Sequence, residues 1–197
     1  MKLNYKEFGE GNQPLIIIHG LFGSLDNWLT IGKAFAKTHK IFLIDQRNHG
    51  KSPHDDGFSY QEMVSDLKEF IDDQHLDKIS VLGHSMGGKT AMLFASLYPE
   101  LLEKLIIVDI GPKYYAPHHQ TIIKALTSFD LGALKSRGEA DKIMAETITD
   151  FSIRQFLLKN LGRNDEKQFE WKINLPVIVQ NINNCLLYTS DAADEED

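Results

Sequence analysis

Four short runs of branched apolar residues constrain the fold more than any other feature of this chain. Leu15-Ile16-Ile17-Ile18, Ile41-Phe42-Leu43-Ile44, Ile79-Ser80-Val81-Leu82 and Leu105-Ile106-Ile107-Val108 each read as a strand buried on both faces. Between them apolar residues recur at helical spacing. Trp28, Gly32, Phe35 and Ala36 follow the first run, Met63, Leu67, Phe70 and Ile71 the second, and a stretch stopped by Pro99 the third. Buried strands alternating with amphipathic helices predict βαβ units and a parallel sheet. Lys2–Phe8 alternates as a further strand, closed by the turn Gly9-Glu10-Gly11-Asn12.

The pattern changes from Tyr114 to about Asn184. Ile122, Ile123 and Leu126, then Ile143 and Ile148, then Phe156, Leu157 and Leu161 suggest short helices, with no buried strand before Val177. An all-helical insertion after a parallel core reads as a cap over the sheet edge; ordinary crossover helices are the alternative. With 197 residues, one domain with an inserted subdomain is expected. The expected boundaries are a core over 1–112, a cap over 113–184 and a tail over 185–197.

Charge excludes one broad class of partner. Asp191, Asp194, Glu195, Glu196 and Asp197 supply five of the seven net negative charges, leaving −2 on everything else. No basic face for nucleic acid is visible. The single cysteine, Cys185, permits no intrachain disulfide and accords with a reducing compartment. No segment approaches the ~18 apolar residues of a membrane span, and Met1–Lys6 lacks the apolar core of a signal peptide. The expectation is a soluble, cytoplasmic protein with no membrane or nucleic-acid partner. Its oligomeric state is not legible.

Chemistry enters at Gly83-His84-Ser85-Met86-Gly87, between the strand ending at Leu82 and a helix starting near Gly87. Gly-x-Ser-x-Gly in that context is a nucleophile elbow. The turn is so sharp that side chains two positions either side of the serine would collide, and Gly83 and Gly87 remove the collision. Ser85 is thereby lifted to the C-terminal edge of the sheet, beside a helix N-terminus that favours developing negative charge. A chance Gly/Ser turn is the rival reading. His19-Gly20-Leu21-Phe22-Gly23 ends the strand 15–18, where the second half of an oxyanion hole belongs. The expected donors are the N–H of Met86 and that of Leu21 or Phe22, with Leu21 preferred. Asp109, ending the strand 105–108, is the candidate acid of the triad; an Asp capping the turn before Pro112 is the bland alternative.

Three blocks occur in order: His19-Gly20-Leu21-Phe22-Gly23-Ser24, Asp45-Gln46-Arg47-Asn48-His49-Gly50-Lys51-Ser52 and Gly83-His84-Ser85-Met86-Gly87-Gly88-Lys89. Together they resemble the small α/β-hydrolase esterases of the YbfF type, relatives of the abhydrolase-11 proteins, and the resemblance runs to about Asn184. It implies the α/β-hydrolase fold, a mostly parallel sheet with a helical cap. It also implies hydrolysis of short or medium acyl esters, with thioesters possible, and no metal or organic cofactor. The acid of that family sits where Val108-Asp109-Ile110-Gly111-Pro112 stands here.

The eight histidines are His19, His39, His49, His54, His75, His84, His118 and His119, all in earlier elements or at the start of the cap. In this fold the base follows the acid in sequence, and the resemblance puts it in a loop beyond Asn184. His84 is expected to point away from Ser85 as a structural residue. Arg47 and His49 are expected to anchor the loop after the second strand. His118 and His119 read as a cap entrance or as a solvated pair.

The segment Cys185–Asp197 matches nothing in the family and resembles adapter sequence read through as protein. A genuine acidic tail, disordered on composition, is the alternative. On the first reading the last core strands and the catalytic His are missing. An apolar sheet edge is then left open, and the 197-residue polypeptide is expected to be inactive or poorly folded. Rival functions are a carbon–carbon hydrolase or lyase using the same Ser85, and a non-catalytic binding protein on the same fold. Epoxide hydrolase and haloalkane dehalogenase chemistry is disfavoured, because those enzymes use Asp where this chain has Ser85.

Overall fold

The computed structural model describes residues 1–113 and 119–186, with side chains described to residue 182. The expectations for His118 and for the acidic end of the tail lie outside the described residues.

A five-stranded sheet runs in the order β1-β3-β2-β4-β5. β1 (Tyr5–Phe8) pairs antiparallel with β3 (Lys40–Ile44). β2 (Pro14–Ile18), β3, β4 (Ile79–His84) and β5 (Leu102–Val108) are mutually parallel. The period-2 alternation of a strand divides each apolar run between two faces. Leu15, Ile17, Ile41, Leu43 and Leu82 pack in one cluster with Leu25, Trp28 and Leu29. There lies α1 (Leu29–Phe35), so close to β3 that a Cβ on Gly32 would sit 3.0 Å from Leu43. Ile16, Ile18, Phe42, Ile44, Ile79 and Val81 join the second cluster, with Met63, Leu67, Phe70 and Ile71 of α2 (Tyr60–Asp73) and Phe94 of α3 (Met86–Leu97). Ser59 caps α2 in a capping box with Glu62, satisfying N–H groups that have no partner within the helix.

Residues 119–186 supply α4 (Gln120–Thr127), α5 (Arg137–Ala145), α6 (Phe151–Leu158), a hairpin of β6 (Leu161–Arg163) and β7 (Phe169–Trp171), and α7 (Leu175–Leu186). Two expectations need correction. The insertion is not all-helical: β6 and β7 pair antiparallel, and runs of three residues are too short to show alternation. The apolar stretch at Val177 is helical, with Val177, Ile178 and Ile182 buried, because its buried positions recur at helical spacing.

β5 departs from its reading as well. It forms, but Glu103 to Ile106 are exposed, with Leu105 at 38% and Ile106 at 41%. Among the described residues β5 pairs only with β4. A run of branched apolar residues records strand propensity and cannot distinguish a central strand from an edge.

Candidate active site

The elbow is built by steric necessity. Ser85 has φ +50° and ψ −116°, a conformation that costs a non-glycine residue about 1–3 kcal/mol. Its N–H donates to Val108 O at 3.0 Å, and its carbonyl accepts from Gly88 N at 2.8 Å, opening α3. A Cβ on Gly83 would lie 2.6 Å from Gly87 C and 2.7 Å from Gly88 Cα. One on Gly87 would lie 2.5 Å from Ile18 O and 2.6 Å from His19 O. All of these are backbone atoms, which cannot swing aside. Gly87→Ala is therefore expected to cost about 3 kcal/mol or more by overpacking. Gly138→Ala, whose new methyl meets nothing nearer than Ser136 Oγ at 3.8 Å, is expected to be neutral or mildly stabilising. Urea midpoints check the pair, and equal midpoints for both variants would remove the steric account of the elbow.

Ser85 lines a cavity of about 410 Å³ together with Gly20, Leu21, Phe22, Trp28, Ile31 and His84 from the sheet side and His119, Ile122 and Phe156 from the 119–186 segment. Its lining is largely apolar, as small-molecule pockets generally are. Met86 is buried and stands at the first turn of α3. Among the described residues no hydrogen bond is formed by the N–H of Met86 or of Leu21. Phe22 differs: its N–H donates to His49 Nε2 at 3.2 Å, so of the two candidate donors in the loop only Leu21 retains a spare N–H.

His19 and His49 are wholly buried supports of that loop. His19 Nε2 accepts from Gln46 N at 3.0 Å, while Nδ1 lies 2.8 Å from Gly20 O. His49 Nε2 accepts from Phe22 N, while Nδ1 lies 3.0 Å from Arg47 O. An imidazole accepting at Nε2 and donating at Nδ1 is neutral. Burial enforces this, pushing His19 down to about 4 and His49 down to about 3. Arg47 is held in place: Nε and Nη2 bind the buried Asp66 carboxylate at 2.7 and 2.9 Å, and Nη1 reaches Gly57 O at 3.2 Å.

Asp109 ends β5 at φ +56°, with its side chain 86% exposed on the same rim of the sheet as Ser85. His84 does not turn away as expected. Its ring lines the Ser85 cavity, lies against Trp28 at 6.0 Å between centroids, and places Nε2 3.8 Å from Asp109 Oδ2. Gly20 makes the room, since a Cβ there would be 2.8 Å from His84 Nδ1 and 3.1 Å from Ser85 Cβ. Among the described residues no imidazole is hydrogen-bonded to Ser85 Oγ, and no cluster of three or more His, Cys, Asp or Glu could hold a metal ion. No described helix is long and apolar enough to cross a membrane.

Sequence reasoning missed two supports. Asp45, 2% exposed, accepts from Leu25 N, Asn4 Nδ2 and Lys51 N at 2.7–2.9 Å; its position at the end of a strand was the available signal. Asn160, also buried, donates to Phe22 O at 2.8 Å across 138 positions of sequence. No local pattern marks it.

A mostly parallel sheet whose fourth strand turns through a positive-φ serine into a helix defines a class, and the chain belongs to it. It is a member of the α/β-hydrolase fold family, whose model matches residues 13–165. Among individual proteins, it is 36% identical over 183 residues to esterase YbfF of Escherichia coli, covering 90% of this chain and 70% of that one. It is 37% identical over 196 residues to the sn-1-specific diacylglycerol lipase ABHD11 of Danio rerio, covering 94% of this chain and 62% of the lipase. A solved marine microorganism esterase superposes with a TM-score of 0.92 at 43% identity, over 94% of this chain and 73% of that structure. The chain thus spans between about three-fifths and three-quarters of the length of these relatives.

Proposed function

We propose that this protein is a serine hydrolase cleaving carboxylic esters of short or medium acyl chain, and acyl thioesters as a second class, through an acyl-enzyme on Ser85. The observation that carries this reading is the strained elbow serine opening into an apolar cavity, beside the N–H groups of Leu21 and Met86, which have no hydrogen-bond partner among the described residues. The names of the relatives, esterase and lipase, support the same reaction class. Ser85 Oγ attacks the substrate carbonyl and gives its proton to a histidine from outside the described residues, oriented by Asp109. Negative charge gathers on the carbonyl oxygen, where the N–H groups of Leu21 and Met86 and the N-terminus of α3 stabilise it. Collapse expels the alcohol, and water then releases the acid by the same steps. Residues 113–184 act as a cap, with Ile122 and Phe156 roofing the acyl site. A cytoplasmic location accords with the single cysteine.

A panel of p-nitrophenyl esters from acetate to octanoate, with an acyl-CoA series, tests the proposal. Turnover together with fluorophosphonate labelling at Ser85 is the expected result. Absence of both would leave a binding protein on a hydrolase fold. Labelling without ester or thioester turnover would point instead to carbon–carbon bond hydrolysis.

A further inference from the structure

Three consecutive peptide groups of the Gly20–Gly23 loop are each held from outside by a different partner. The carbonyl of Gly20 accepts from Gly23 N at 2.9 Å and lies 2.8 Å from His19 Nδ1. In a trans peptide the N–H lies opposite the carbonyl, so anchoring Gly20 O turns Leu21 N–H the other way. The next peptide is held at Phe22 N by His49 Nε2. The third is held at Phe22 O by the side-chain amide of Asn160. Phe22 itself sits at φ +59°, in the left-handed region where a large side chain stays only if its surroundings over-determine it.

Asn160 is delivered rigidly. It follows α6 and precedes β6, its N–H donates to Leu157 O at 3.0 Å, and its carbonyl accepts from Lys172 N at 2.8 Å. Arg137 Nη2, at the start of α5, binds both Leu158 O and Leu161 O at 2.7 Å and so clasps the turn from either side. The side chain is 3% exposed, and a buried amide that bridges two distant segments is there to fix their relation.

We propose that Asn160 is a positioning residue, whose amide N–H, by holding the Phe22 carbonyl, keeps the loop in the geometry that presents Leu21 N–H to the reacting oxygen. Docking of the α6–β6 turn and completion of the oxyanion site are then one event. The inference rests on the hydrolase reading above, and its test separates the two.

Asn160→Asp keeps the shape and removes the donor. Its carboxylate faces a carbonyl while ionised and donates once protonated, and burial raises the pH at which that occurs. In this variant, kcat at pH 8 is expected to fall about 10- to 100-fold with KM within about twofold. The deficit relative to the parent protein at the same pH is expected to shrink as pH drops to 5.5, and the loop-specific exchange below separates this from a general loss of stability. Independently of turnover, deuterium exchange in the peptide spanning residues 20–24 should speed up in the variant, while that of strand 15–18 stays slow. Asn160→Ala, which buries no charge, carries the exchange and kcat tests if the Asp variant melts below assay temperature. Unchanged exchange and unchanged kcat in an active protein would overturn the role of Asn160. Faster loop exchange in a protein whose parent hydrolyses no ester would instead overturn the hydrolase reading and leave the clamp standing.

Discussion

Ser85→Gly is expected to abolish ester turnover and at the same time stabilise the protein. Removing the nucleophile of a serine hydrolase typically costs about ten-thousand-fold or more in kcat, since only binding and oxyanion donors remain. Stability moves the other way because Ser85 is held at φ +50° and ψ −116°. Strain of about 1–3 kcal/mol is relieved in glycine, offset by glycine's larger loss of freedom on folding, about 0.5–1 kcal/mol. A net gain of about 1 kcal/mol is expected. Ser85→Ala loses the same turnover but keeps the strain, so its urea midpoint should match the parent. Surviving turnover in either variant would remove Ser85 from the chemistry. A Gly midpoint no higher than the Ala midpoint would show that the elbow is not strained.

Acidification is expected to destabilise the fold from about pH 6.5 downward, well before carboxylates titrate. His19 and His49 are neutral in the folded state, lowered by burial to about 4 and about 3, whereas in an unfolded chain each titrates near 6.5. Their contribution to stability is therefore fully present above 6.5. It is lost as pH falls, because the unfolded state takes up protons that the folded state refuses. Each group removes about 1.4 kcal/mol per pH unit once pH is well below 6.5, until about pH 4 for His19 and about pH 3 for His49. Across that window the pair is worth on the order of 8 kcal/mol, comparable with the whole stability of many domains. The protons also land where they do most harm: Nε2 of His49 accepts from Phe22 N–H and Nε2 of His19 from Gln46 N–H, and a protonated ring cannot accept. Urea midpoints measured every half unit from pH 8 to 4.5 should decline steadily below 6.5. A flat profile to pH 5 would mean that these rings are charged or solvated.

The glycines of the elbow and the loop illustrate what can be seen from local pattern. Gly83 and Gly87 were legible because the clash they avoid is with backbone a few residues away or on the adjacent strand. Gly20 was legible only as part of a His-Gly turn; its second task, making room for the His84 ring, depends on two strand ends meeting. That is why His84 was expected to face away and in fact lines the cavity. β5 was found in the right place and given the wrong environment, for propensity is a property of a strand and burial a property of its neighbours.

Alternation, helical spacing and the glycine-flanked serine are short-range patterns, and they were enough to determine a mostly parallel α/β sheet with a sharp serine turn at the end of β4. What required the folded chain were contacts between distant segments: the N–H of Leu21, unpaired among the described residues, the engaged N–H of Phe22, the two neutral buried imidazoles, and Asn160 reaching back 138 positions to the Gly20–Gly23 loop. Hydrogen-bond partners and desolvation depend on which segments come together in space. A lone asparagine carries no sign of that until the chain has folded around it.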